Sequence, residues 1–197
     1  MTTEVKAPDL VRERILEAAC QLFGSRGINA TGVDLVSEVA KVSKRSLYQR
    51  FPSKDQLIAA YLPLATERFL APLIPPADSG LSPAAKILAV FAATRRESAD
   101  AGFRGCPVLK AAAEIADIRH PARGIALSYK QLMEGYFAEQ AMAAGATDPA
   151  LLAEQLVMLF DGALSYAAVR SRPIPAGIHI TVRTLLAAQS IDPPPSP

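Results

Sequence analysis

At 197 residues, half of them hydrophobic, with a formal net charge of +2, the chain can bury a core in one or two domains and is too apolar to stay disordered. No run of 18 uncharged apolar residues suggests a membrane span, and the opening MTTEVKAPDLVRER lacks the apolar stretch of a signal peptide. The expectation is a cytoplasmic protein with no membrane partner. Cys20 and Cys106, far apart, read as free thiols, and the two histidines, His120 and His179, fall in no metal-binding or catalytic spacing, so no metal, cofactor or enzymatic activity is expected.

Helical signals run almost throughout, and the expected fold class is all-α. Over 11–23 the apolar residues Val11, Ile15, Ala18, Ala19, Leu22 and Phe23 recur at helical spacing, and Gly27 follows as a stop. A short helix is predicted over 33–40, burying Leu35, Val36 and Val39, and another over 44–51, capped by Ser43 and ended by Pro52. Ser53 with Gln56 forms a capping box that opens a fourth helix, which Pro63 should kink. The proline-rich PLIPPADSGLSP marks a break at 72–83, and further helices are predicted over 82–99, 107–116, 121–144, 149–169 and 176–188. The division expected is a DNA-binding domain over 1–60, a helical effector-binding and dimerisation domain over 61–190, and a disordered proline-rich tail over 191–197.

Between Lys41 and Lys54 stand five basic residues and no acidic one. The helices over 33–40 and 44–51, joined by about three residues and braced by a preceding helix, make a helix-turn-helix. Stepping ~100° per residue places Leu47 and Phe51 on one face, toward the core. Arg45, Ser46 and Gln49 then form an outward ridge suited to reading base edges in a major groove. Lys44, Tyr48 and Arg50 flank it, where they reach phosphates. A merely solvated charged face would need neither the helix lengths nor the turn spacing nor the capping box.

The stretch GINATGVDLVSEVAKVSKRSLYQRFPSKDQLIAAYL resembles the DNA-binding domain of the TetR family of bacterial transcription regulators. Thr31, Val42, Ser43, Leu47, Tyr48, Phe51, Pro52, Ser53, Lys54 and Leu57 carry the likeness. The resemblance implies a homodimer on double-stranded DNA, its two recognition helices in successive major grooves of a palindromic operator, and a C-terminal domain that binds a small-molecule effector. It also implies that Tyr48 and Lys54 contact phosphate, and Thr31 joins the expected phosphate set. Two departures stand out. Lys41 occupies a turn position where the family usually has Gly, and Gly32 replaces a second Thr at the cap of the second helix.

In the second domain, Tyr129, Met133 and Tyr136 fall on an apolar stripe with Ile125, Leu132, Phe137 and Gln140. They are candidate walls of an effector pocket together with Phe103 and Cys106, although such a stripe is more often core. Cys106, ahead of Pro107 at a helix start, is either a dipole-favoured thiolate or a small buried filler. The segment LLAEQLVMLFDGALSYAAV is apolar nearly all round, so it should be buried on both sides, with Leu156, Leu159, Phe160 and Leu164 expected at a dimer interface. Asp161 in its midst needs a partner, and His120 reads as a loop residue. The function expected is a repressor released by an effector. The alternative is an architectural DNA-binding protein with no effector, and the length of the second domain favours the sensor.

Overall fold

The computed structural model describes residues 9–192. These form nine α-helices and no strand, as the all-α pattern predicts: α1 (Leu10–Arg26), α2 (Val33–Val39), α3 (Lys44–Arg50), α4 (Lys54–Leu70), α5 (Pro83–Glu97), α6 (Pro107–Glu114), α7 (Pro121–Ala143), α8 (Pro149–Arg170) and α9 (Ile178–Ala188).

Helix starts follow side-chain caps. The Asp9 carboxylate accepts from the backbone N–H groups of Val11 and Arg12, and Ser43, Ser53 and Ser82 cap α3, α4 and α5 in the same way. Pro stands in the first turn of α5, α6, α7 and α8, where its missing N–H costs nothing. His120 is not a plain loop residue. Its Nδ1 accepts the Ala122 N–H at 3.0 Å and caps α7. Pro63 does not end α4, which continues to Leu70.

α2 ends on Lys41 in the left-handed region at φ 54°. The Lys41 N–H donates to the Glu38 carbonyl and the Val42 N–H to the Ser37 carbonyl, each at 3.0 Å. Those two bonds are a Schellman motif, whose left-handed position Gly ordinarily fills. The family's usual Gly is thereby explained, and so is the cost of Lys41.

α1, α2 and α3 pack on one another, and α4 packs on α1 at one end and on α6 and α7 further along. The core is continuous, from Ile15 in α1 through Leu62 in α4 to Leu186 in α9. No element ends at residue 60; α4 runs across it and is shared between the helix-turn-helix and the rest. The break at 72–83 holds a buried Leu73. At the centre of the larger half Phe91, Phe137 and Phe160 meet with ring centroids 5.9, 6.2 and 6.4 Å apart. Burial of each ring contributes roughly 1.5–3 kcal/mol. Ile191, assigned from the sequence to the disordered tail, is buried; residues 193–197 lie outside the described residues.

The reading of α8 needs correcting. Leu156, Phe160 and Leu164 are at most 1% exposed within this single chain, so they cannot face a partner; Leu159 is half-buried beside them. Stepping ~100° per residue, they and Leu152, Ala163 and Ala167 share the face that packs on the chain's own core. Leu151, Met158 and Val169 align on the opposite face and are 43%, 60% and 81% exposed. Gly162 lies along the same stripe, with nothing near its missing Cβ.

Candidate nucleic-acid interface

α3 is anchored by Leu47, fully buried, and by Phe51 just past its end. With that face fixed, Arg45 and Gln49 project into solvent, and Tyr48 is 45% exposed. Neither Arg45 nor Lys54 is in an ion pair among the described residues. Lys54 opens α4, half-buried, one residue after the Ser53 cap. The ridge thus carries an unpaired cation at its tip and another at its foot, among the described residues.

The remaining candidates are more constrained. Thr31 departs from expectation. It is fully buried, and its hydroxyl donates to the Gly27 carbonyl at 2.7 Å, so it closes the turn after α1 and cannot reach a phosphate. A short hydroxyl side chain beside a turn competes for local backbone acceptors, and here the backbone wins. Arg50 is drawn inward: its Nε donates to Asp9 at 2.8 Å and its Nη1 to the Ser46 carbonyl, which ties α3 to the start of α1. Asp9 is in turn held below the usual carboxylate range, first by the Arg12 backbone N–H and then by Arg50. Ser46 is half-buried and accepts from the Ser43 hydroxyl at 3.1 Å. Lys44 pairs with Asp34 at 2.8 Å, on α2, which raises its pKa. Lys41, prompted by no groove-reading pattern, adds an exposed cation at the turn. Arg12 lies over the Phe51 ring at 5.3 Å, a cation–π contact from α1 that helix-by-helix reading could not find.

Among the pocket candidates, Cys106 and Met133 are 4% exposed and serve as core. Burial pushes the Cys106 thiol up, against the opposing pull of Lys130, so the small-filler reading fits it. Tyr129 donates to the Pro63 carbonyl at 3.4 Å and ties α7 to α4. The Tyr136 hydroxyl is buried without a hydrogen-bond partner, and burial pushes its pKa up to about 12. Phe103 lines a separate depression between the ends of α5 and α8. None of the five lines the cleft of about 430 Å³ between α6 and α7. Asp161 has found its partner in Lys130 of α7.

Three residues fasten α6 and the turn after it to the helix-turn-helix half. Lys110 Nζ donates to the Gly24 carbonyl at 2.7 Å. Glu114 accepts the Asn29 backbone N–H at 2.8 Å, and its own carbonyl accepts from the Asn29 side chain at 2.9 Å. His120 Nε2 lies 3.3 Å from Asp55 in the first turn of α4.

A three-helix unit presenting a short basic helix, joined to a larger helical body, is the arrangement of a helix-turn-helix DNA-binding regulator. The sequence pattern of the family described as bacterial regulatory proteins, tetR family, matches residues 15–61. A TetR-type transcriptional regulator of Streptomyces avermitilis is 40% identical, over 92% of this chain and 98% of that one, with a TM-score of 0.86. A TetR-family regulator of Streptomyces coelicolor is 29% identical over 92% and 96%, with a TM-score of 0.82. The transcriptional regulator AcuR of Cereibacter sphaeroides is 29% identical over 90% of this chain and 85% of its own. The chain belongs to the TetR family of transcriptional regulators and carries that family's helix-turn-helix.

Proposed function

We propose that the protein is a cytoplasmic repressor, a homodimer that seats α3 of each protomer in successive major grooves of a palindromic operator and leaves it when a small molecule binds the helical body. The observation that carries the reading is the α3 ridge: Arg45 and Gln49 exposed on a helix whose opposite face is pinned by Leu47. Arg45 and Gln49 read bases, with Ser46 at the edge; Lys54 and Tyr48 take phosphates, with Lys44 sharing itself with Asp34. The stripe of Leu151, Met158, Gly162 and Val169 on α8, with Ile180 of α9 at 70% exposure, supports the dimer, since an apolar surface of this extent seeks cover. The ties from α6 and His120 to Gly24, Asn29 and Asp55 support release, because moving α6 moves what holds the helix-turn-helix.

The test is selection of bound sites from a random duplex pool, followed by a reporter placed behind the selected site. A palindromic site bound by a dimer, with reporter output rising when the gene is deleted, is expected. Binding without sequence preference would point to an architectural role.

A further inference from the structure

The cleft between α6 and α7 has apolar walls: Val108 and Leu109 from α6, Leu127 from α7, and Ile118 from the turn between them. Ile118 and Leu127 are 77% and 60% exposed, large apolar side chains at the rim with no cover from this chain. Two charged side chains line the cleft, Arg123 and Lys130, and both are cations. They differ in one respect. Lys130 is neutralised by Asp161. Arg123 is half-buried and in no ion pair among the described residues; its Nη1 donates to the Ala112 carbonyl at 2.7 Å, a neutral partner that leaves the charge uncompensated. A guanidinium has five N–H donors in a rigid fork, and a carboxylate is the anion that fits that fork in two parallel bonds.

We propose that this cleft binds an apolar molecule bearing a single carboxylate, the carboxylate on Arg123 and the apolar body along Val108, Leu109 and Leu127 under the rim of Ile118. At about 430 Å³ the cleft is within the range of small-molecule sites. The surroundings explain the selectivity. A half-buried guanidinium beside apolar walls pairs with an anion more strongly than one in water, while a second anionic group would meet only apolar walls and Lys130, which Asp161 already holds. The turn that carries Ile118 also carries His120, and α6 carries Lys110 and Glu114, so an occupant seated here sits against the elements whose other residues grip Gly24, Asn29 and Asp55. That consequence for DNA rests on the effector-release reading above; the binding itself does not.

The experiment is calorimetric titration of the full-length protein with sodium octanoate and, as a neutral isostere, octan-1-ol, repeated on Arg123→Gln and on Leu127→Glu. Leu127 is exposed, so that variant tests the cleft without disturbing the core. Expected are one octanoate site per chain, octanoate binding at least tenfold more tightly than octanol, loss of that preference in Arg123→Gln, and weakened octanoate binding in Leu127→Glu from the acid placed at the rim. Equal affinity for acid and alcohol in the wild-type protein, a preference that survives Arg123→Gln, or no saturable octanoate binding at millimolar concentration each overturns the proposal. Binding to the selected operator is measured in parallel. Octanoate that binds without loosening DNA leaves the cleft standing and removes the effector reading; octanoate that neither binds nor loosens DNA removes the cleft alone.

Discussion

Replacing Arg45, Lys54 and Arg50 by Ala removes one positive charge each time, yet the structure gives the three changes different consequences. Arg45 is exposed on the α3 ridge and free of ion pairs among the described residues. Arg45→Ala should weaken the cognate site by about 1–3 kcal/mol per base contact, relax preference at that base pair, and leave unrelated duplex nearly untouched. Lys54 is also free of ion pairs among the described residues, at the foot of the ridge, so a phosphate contact there releases a counterion. Lys54→Ala should weaken every duplex alike and flatten the slope of log affinity against log salt by about 0.9 per contact, hence about 1.8 for a dimer. Arg50 is spent on Asp9 and the Ser46 carbonyl. Arg50→Ala should therefore act by loosening α3 from α1, lowering the unfolding midpoint while changing the salt slope little. The assay is fluorescence anisotropy on operator and scrambled duplex at several salt concentrations, with thermal melts of each variant. Arg45→Ala weakening both duplexes equally, together with Lys54→Ala altering base preference, would show that α3 is rotated from its assigned face.

Lys41→Gly should stabilise the protein by up to about 1 kcal/mol, a rise in melting temperature of about 2–4 °C, by relieving the left-handed residue at φ 54°; an unchanged melt would mean the strain is already relieved. Leu156→Ala should cost about 2–5 kcal/mol through a core cavity and leave assembly intact at concentrations where the protein stays folded, whereas Met158→Asp should split the dimer with little loss of fold. Sedimentation and denaturant melts separate the two, and the reverse pattern would restore the face first expected. Asp9 is held below its ordinary 3.8, so the unfolded chain takes up its proton first; its stabilisation is present above that pH and is lost as pH falls through the lower folded-state value. Asp9→Asn, which keeps a capping side chain, should make stability fall less steeply below pH 3.8, and an acid limb identical to wild type would refute the assignment. Mild peroxide should leave DNA binding unchanged in wild type and in Cys106→Ser alike, since burial favours the inert thiol; a difference between them would make Cys106 a sensor.

The helix-turn-helix was legible because its signals are local. Ser43 and Ser53 cap helices that begin where their hydroxyls permit, and the spacing of Leu47 and Phe51 sets the face of α3. What escaped depends on partners distant in sequence or on a choice between two equally apolar faces. Arg50 looked like a phosphate ligand until Asp9, 41 residues away, claimed it. Thr31 matched a pattern whose hydroxyl here turns inward to Gly27. In α8, Leu156 and Met158 are two steps apart and similarly apolar, and nothing in the helix says which belongs to its own core. Packing by α7 decides it, by placing Phe137 against Phe160. His120 was hidden for another reason: imidazole capping lies outside the Ser, Thr, Asp and Asn preference by which helix starts are read.

The charges of the interface are better weighed by their partners than by their number. Between Lys41 and Lys54 the sequence carries five cations, but in the folded chain Arg50 belongs to Asp9 and Lys44 to Asp34. A phosphate that takes Lys44 must displace a carboxylate already 2.8 Å away, so the gain is an exchange of one anion for another and few counterions are released. Lys41, Arg45 and Lys54 are left as the charges that DNA can neutralise outright. Arg45 is then the one on the exposed α3 ridge, proposed to read bases, Lys54 the one at its foot, and Lys41 the one at the turn, where the cation stands in place of a glycine that would have made the turn without strain. Buried Leu47 and Phe51, with Arg50 tied to Asp9, hold α3 in the attitude that lets Arg45 project, which is why a helix of seven residues can present a defined ridge before any DNA arrives.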